Sequence, residues 1–338
     1  MNLQDEKYRR YALVREMLDV KHVLAAMEPL RIFEFTKHIR HQKILLTGEG
    51  SSRIFPAKKV ICDALHHDYK EMIITEGARQ AAEYDLEDYT VFIASNSGRT
   101  KESLKLMETL KQKHHHHMIA VVAHKDTDIM NKADDAYLMK SGHEEAVAAT
   151  KTVMEQALFY DILFRKSNHQ PLPDLNRLGE FIEQVLISDI PGKITDQLVL
   201  APMIYFSGRN NGVAEELSLK TNEITGKKSD YLEGTYAVHG IEEVMKKDEI
   251  IIMIDPFPEE EPKIQKTLVE GIGMTVIAIS GRNTSFPTLL IPDDGEFNPY
   301  LQLAMGWNVL IETALTLNID LDHPKRARKI GNEFEKGI

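Results

Sequence analysis

Short apolar runs, each followed by a polar turn and then a helical pattern, recur along this 338-residue chain. Thr90-Val91-Phe92-Ile93-Ala94 is one such run, and Lys101 to Met107 follows it at helical periodicity. Lys43 to Thr47 is another, followed by a helical run from Arg53 to Leu65, and Met118 to Ala123 is a third. An offset of about 160 residues brings each onto a counterpart. Lys43–Gly50 falls on Ala201–Gly208, Thr90–Ala94 on Glu249–Ile254, and Met118–Ala123 on Met274–Ile279. Runs rich in Val and Ile with helices between them predict parallel strands buried on both faces. The pattern therefore predicts an α/β chain of two similar domains, each a parallel sheet flanked by helices, with N-terminal helices over 6–40. A long amphipathic helix is expected over about 147–167. Asn168 to Asp174, with two prolines, is expected to end it. The expected division is an N-terminal helical segment over 1–40, a first domain over 41–170 and a second over 171–338.

Two of the strand-to-helix turns carry chemistry. Ser95-Asn96-Ser97-Gly98-Arg99-Thr100 places three hydroxyls and a glycine before a helix whose first N–H groups lack internal partners. With the helix dipole, that arrangement suits a phosphate. Gly48-Glu49-Gly50-Ser51-Ser52 is a second such turn, and the third glycine of a dinucleotide fingerprint would fall on Arg53. Two Ser/Gly turns at strand ends fit one small phosphorylated ligand better than a dinucleotide, although ordinary serine N-caps share this pattern. In the second copy, Asp255-Pro256-Phe257-Pro258-Glu259-Glu260-Glu261 stands where the first has Ser95–Thr100. Acid and proline there would repel a phosphate, so one phosphate site is expected, in the first copy.

The second copy carries a different set. After Ser207-Gly208-Arg209-Asn210-Asn211 comes a helix with Glu216, Lys220 and Glu223 at i, i+4 and i+7, on one face. A solvated salt-bridge stripe is the ordinary account of such a pattern. The alternative is a general base with a cationic neighbour, because the helix opens at a strand end where open α/β sheets bind ligands. His239 sits beside Gly240 in a loop, and Asp322 to Lys329 forms a basic tail.

Composition narrows the class. Net charge is −11 with both signs interspersed, which disfavours nucleic acid as a partner. No run approaches the roughly 20 apolar residues of a membrane span, and the N-terminus has no signal-peptide character. Cys62 is the single cysteine, which leaves no intrachain disulfide and no cysteine zinc cage. A cytoplasmic location is expected. Adjacent side chains in His114-His115-His116-His117 do not all face one way, so no metal is expected there.

Together these motifs resemble the SIS (sugar isomerase) family, most closely the isomerase half of glucosamine-6-phosphate synthase. The resemblance spans the chain as two tandem SIS domains of flavodoxin-like, three-layer form. Ser95–Thr100 resembles the family's phosphate loop, with Ser95, Asn96, Ser97 and Thr100 as phosphate ligands, and Ser52 matches the serine of its first loop. Glu144 to Lys151 resembles a further segment that implies substrate contacts at Val147 and Ala149, the latter standing where the family usually has serine. The family's Lys-x-x-Glu pair falls on Lys220 and Glu223, its loop histidine on His239 and its C-terminal lysine on Lys329.

The resemblance implies an enzyme of hexose 6-phosphates without a cofactor. In it Glu223 moves a proton between C1 and C2, Lys220 steadies the enediol and Glu216 orients Lys220. His239, donated by the neighbouring subunit of a homodimer or larger assembly, opens the sugar ring, and Lys329 contacts the open-chain sugar. The glutaminase domain of the synthase has no counterpart in this chain, which begins Met1-Asn2. The expectation is therefore a degradative reaction on a 2-amino or glycated-amine sugar 6-phosphate with loss of the amine. A plain aldose–ketose isomerase and a non-catalytic phosphosugar sensor are the alternatives.

Overall fold

The computed structural model describes residues 1–39, 42–324 and 326. They form two compact units. One comprises His22–Glu144 and Ala149–Leu175. The other comprises Met1–Lys21, Glu145–Ala148 and the described residues from Asn176 on.

The first unit is built on β1 (Lys43–Gly48), β2 (Met72–Gly77), β3 (Tyr89–Ser95), β4 (Met118–Val122) and β5 (Asp135–Leu138). All pair in parallel, in the order β2-β1-β3-β4-β5. Strand alternation divides the core between the two sheet faces. Val91 and Ile93 of β3 pack with Leu104, Met107 and Leu110, which lie on the apolar face of the helix Lys101–Gln112. Phe92, between them in sequence, has its ring 5.9 Å from that of Tyr160 and 6.2 Å from those of Phe159 and Phe164. These three aromatics belong to the helix Lys151–Ser167, in which every residue from Lys151 to Arg165 is buried.

In the second unit β6 (Met203–Gly208), β7 (Lys228–Glu233), β8 (Ile250–Ile254), β9 (Thr275–Ser280) and β10 (Thr288–Leu290) repeat the arrangement. They are parallel, in the order β10-β9-β8-β6-β7. Counted from its own first strand, each sheet has the order 2-1-3-4-5, as the repeat in the sequence predicts. Below, α1 denotes Ile54–His66, α2 Lys101–Gln112, α3 Lys151–Ser167, α4 Val213–Thr225 and α5 Asn298–Thr316. N-terminal helices occupy Glu6–Arg9, Ala12–Ala26 and Pro29–Phe33.

One expectation needs correction. The helix predicted over 147–167 begins at Lys151, and residues 147–150 are not helical. The Glu144 carboxylate accepts the backbone N–H of Thr150 at 2.8 Å and that of Thr152 at 3.4 Å. It meets the free donors of the first turn from outside the helix.

Buried charge ties α1 to α3. Lys59, 1% exposed, donates to Asp63 at 2.7 Å and to Asp161 at 2.6 Å. Arg165 donates to Asp63 at 3.0 Å. Burial pushes the Asp161 carboxyl up from its usual range, and the Lys59 ammonium beside it opposes that shift. Lys59→Met strips the cation from a fully buried carboxylate. It is expected to cost about 3–5 kcal/mol of unfolding free energy, measured by urea denaturation.

Candidate active site

The strand order reverses between β1 and β3, so the loops leaving their carboxyl ends diverge and open a crevice, the usual ligand position in an open parallel sheet. Both Ser/Gly turns of the first unit lie there. At the end of β1, a Cβ on Gly48 would stand 2.7 Å from the Ala94 carbonyl oxygen and 3.0 Å from the Ser52 Cβ, so the two turns approach closely only over a glycine. Gly50 adopts φ 55° and Ser52 is half-buried ahead of α1.

The Ser95–Thr100 turn is held largely by its own side chains. Ser95, 2% exposed, has its Oγ 2.8 Å from Thr100 Oγ1 and accepts the Gly98 N–H at 3.0 Å. Ser97 Oγ accepts the Arg99 N–H at 3.2 Å. Gly98 has φ 66°, and its carbonyl oxygen accepts the Ile129 N–H at 3.1 Å. Thr100 is the N-cap of α2, and its side chain makes no capping bond to the first turn. The N-terminal donors of a 12-residue helix thus stand behind the turn. Asn96 faces another way. Its Nδ2 donates to Glu144 at 2.6 Å and to Thr152 Oγ1 at 3.3 Å. Two carboxylates stand near this site: Glu102 in the first turn of α2, and Glu49 beside β2. Burial pushes the Glu49 carboxyl up, and the charge of Glu102 adds to the shift.

In the second unit, α4 starts after Gly212 at φ 86° and stops at Gly226 at φ 64°, both left-handed positions that suit glycine. Glu216 and Lys220 are both fully buried, which rules out a solvated stripe. The Lys220 ammonium is 2.7 Å from a Glu223 carboxylate oxygen and 3.4 Å from one of Glu216. The Glu223 side chain remains 25% exposed. The arrangement is a desolvated cation beside a carboxylate that solvent or a ligand can reach. Packing against α5 sets the depth of α4, since a Cβ on Gly306 would lie 2.3 Å from the Leu217 side chain.

His239 is exposed, and Tyr236–Val238 forms a helical turn before it. The start of that loop is pinned to the end of β6, where the Gly234 N–H reaches the Gly208 carbonyl at 2.7 Å and Ser207 Oγ reaches the Gly234 carbonyl at 3.1 Å. Among the described residues no hydrogen bond or ion pair joins His239 to Lys220 or Glu223. Lys329 lies outside the described residues. Val147 and Ala149 are half-buried, the first grouped with the second unit and the second with the first.

The counterpart of the serine turn in the second unit is closed by its own charges. Asp255, at φ 46°, pairs with Arg209 at 2.7 Å and accepts the Ser280 hydroxyl at 2.8 Å. The Arg209 guanidinium lies 4.4 Å above the Phe257 ring. Among the described residues no three His, Cys, Asp or Glu side chains converge as metal ligands, and no helix is long and apolar enough to cross a membrane. The polar partners Glu144 and Thr152 escaped the sequence reading as site residues. Only the carboxylate placed ahead of two threonines around the start of α3 hinted at Glu144.

Comparison with known proteins places this geometry in context. Residues 73–166 match the SIS domain model. The chain is 26% identical over 253 residues to a glutamine–fructose-6-phosphate aminotransferase (isomerizing) of Staphylococcus epidermidis, an alignment covering 70% of this chain and 42% of that protein. The chain thus spans less than half the length of that curated relative. Its fold is shared with a tagatose-6-phosphate ketose/aldose isomerase of Escherichia coli, with TM-score 0.79 and 16% identity over 96% of this chain and 99% of that one. It is likewise shared with a glucosamine-6-phosphate deaminase of Thermotoga maritima, with TM-score 0.71 and 19% identity over 94% and 98% of the two chains.

The turn geometry yields a direct test. A methyl group at Gly98 would lie 2.3 Å from Thr127 Oγ1 at a backbone angle that L-residues avoid. Gly98→Ala is expected to displace the turn and weaken binding of inorganic phosphate by about tenfold or more, measured by titration calorimetry.

Proposed function

We propose that this chain, a tandem SIS protein related to the glutamine–fructose-6-phosphate aminotransferases, acts on a hexose 6-phosphate by moving a proton between C1 and C2. The observation that carries this reading is the Lys220–Glu223 pair: a fully buried ammonium 2.7 Å from a carboxylate that is still a quarter exposed. Abstraction of a proton alpha to a carbonyl needs a reachable base and a fixed positive charge where negative charge develops. Glu223 supplies the base and Lys220 the charge. Glu216, on the other side of the Lys220 ammonium, holds it in place.

In this reading the sugar phosphate is taken by the Ser95–Thr100 turn, through Ser97, Thr100, the backbone N–H groups of the turn and Ser52. Ser95 acts from beneath, because its hydroxyl is already bonded to Thr100 and Gly98. Val147 and Ala149 line the sugar, His239 opens its ring from a second subunit of a homodimer or larger assembly, and Lys329 meets the open chain.

The reaction we favour begins with an open-chain 2-amino aldose 6-phosphate. Glu223 takes the C2 proton and returns one to C1, leaving an imine at C2. Water adds to that carbon, and ammonia or the substituted amine departs, giving a ketose 6-phosphate. With a 2-hydroxy sugar the same proton transfer ends in plain aldose–ketose exchange, with no water consumed. A deaminase and a ketose/aldose isomerase that share this fold bear the names of those two outcomes.

Purified protein is expected to convert glucosamine 6-phosphate to fructose 6-phosphate with one free amine per turnover, followed in a coupled assay with parallel amine determination. Exchange between aldose and ketose 6-phosphates without amine release would instead identify an isomerase, and binding without either reaction would identify a sensor. Glu223→Gln is expected to lower kcat by about 10²–10⁴-fold while sugar-phosphate affinity holds. Unchanged turnover in that variant removes Glu223 as the base.

A further inference from the structure

Glu144 has no part in the chemistry above, yet its carboxylate is fully buried. One of its oxygens accepts the Thr150 N–H at 2.8 Å, and the Thr150 hydroxyl and Thr152 N–H at 3.4 Å. The other accepts the Thr152 hydroxyl at 2.7 Å and the Asn96 amide at 2.6 Å. A buried carboxylate is costly unless several donors meet it, and four of the donors named belong to residues 150 and 152 at the start of the 17-residue α3. The positive end of that helix favours the charge. Another donor comes from Asn96, 48 positions away in the sequence and one residue past the end of β3.

Asn96 is therefore gripped at two points. Its side chain is held by Glu144 and Thr152, and its carbonyl oxygen accepts the Ala123 N–H at 3.3 Å. The amide has one workable orientation. Its Oδ1 is buried and makes no hydrogen bond, so turning the amide would move an NH₂ group into a place without an acceptor and aim oxygen at a carboxylate. The residues that follow, Ser97 to Thr100, are those whose backbone N–H groups and hydroxyls face the anion in the function proposed above.

We propose that Glu144 is a positioning residue for this turn, fixing Asn96 from the start of α3 so that the donors of 97–100 are set before the phosphate arrives. The inference rests on the reading that the turn takes a phosphate. Its energetic basis is pre-organisation: donors already held in place need no ordering when the ligand binds. Glu144 touches no reacting atom in this scheme and acts through Asn96.

Glu144→Gln provides the test, since its amide NH₂ must face either the Asn96 amide or the N–H groups of Thr150 and Thr152. Glu71→Gln is the structural comparison. Glu71 is 7% exposed and accepts from Ser167 at 2.7 Å and Asn168 at 2.6 Å, just ahead of β2 at the amino end of the parallel sheet, whereas the turn is at its carboxyl end. Binding of glucosamine 6-phosphate and of inorganic phosphate is measured by calorimetry, and amide hydrogen exchange is followed over 96–100 and at Ala123. Glu144→Gln is expected to weaken both probes by about tenfold or more and to speed exchange in that segment. Glu71→Gln, at a similar loss of melting temperature, leaves both at wild-type values. Thr152→Val removes the hydroxyl bonded to both Glu144 and Asn96 and is expected to shift both readouts the same way by less, which serves if Glu144→Gln does not fold. Wild-type affinity or unchanged exchange in the folded variant overturns the assignment. If the wild-type protein binds neither probe, the phosphate role of the turn fails instead, and the exchange comparison alone decides Glu144.

Discussion

The reversal of strand order, between β1 and β3 in one unit and between β6 and β8 in the other, is the constraint on which the rest depends. Parallel strands need crossover helices, and where the order turns back, neighbouring crossovers leave on opposite faces of the sheet. A crevice then opens at the carboxyl ends of the two central strands of each unit. In the first unit that place holds a glycine- and serine-rich turn with helix donors behind it. In the second it holds Arg209, Asp255 and the start of α4. One topology has two chemical outcomes because the residues at that place differ.

Charge inside the two units is handled according to what it must do. The Lys59–Asp63–Asp161–Arg165 group is buried and spans two helices, so its effect is to hold α1 to α3. Arg209 and Asp255 satisfy one another, and with Phe257 beneath the guanidinium they leave no room in chemistry for an anion at that turn. The Glu216–Lys220–Glu223 row is different, because burial is graded along it. The first two groups are fully dry and the third is not. A charged row that is dry at one end and reachable at the other can be stable and still present a base, which a fully closed cluster cannot do.

Much of this was legible in the sequence, and what was not has a common cause. Strand positions, the two Ser/Gly turns and the Glu216–Lys220–Glu223 face follow from local periodicity, with every relevant residue within a few positions of the others. Whether that face was wet or dry could not follow, since burial of α4 depends on elements distant in sequence such as α5, whose Gly306 packs closely against Leu217. The grip of Glu144 on Asn96 crosses 48 positions and that of Lys59 on Asp161 crosses 102, distances over which a single sequence carries no pairing signal. The start of α3 was misjudged for the same reason. Residues 147–150 have helical periodicity, but the Glu144 side chain claims the N–H groups of Thr150 and Thr152, and the helix begins where those donors have been met. Hydroxyl count is visible in a sequence and hydroxyl direction is not: Ser95 Oγ lies against Thr100 Oγ1 and accepts the Gly98 N–H.

The anion site proposed at Ser95–Thr100, in a chain of net charge −11 with Glu49 and Glu102 close by, needs a source of positive potential other than an excess of basic residues. Backbone N–H groups supply one whose sign does not depend on pH and whose direction is set by the fold. Such donors are effective only if the turn that presents them does not relax, because a loosened turn would solvate them and lose the field. The proposed role matches the density of internal bonds in Ser95–Thr100 and the use of a buried carboxylate, rather than a lysine, to hold Asn96. A cation placed behind the turn would attract the phosphate but would leave the turn free to move. A carboxylate there adds a negative charge, yet that charge is met by the start of α3 and by two threonines, while its hold on Asn96 keeps the N–H groups of the turn in register.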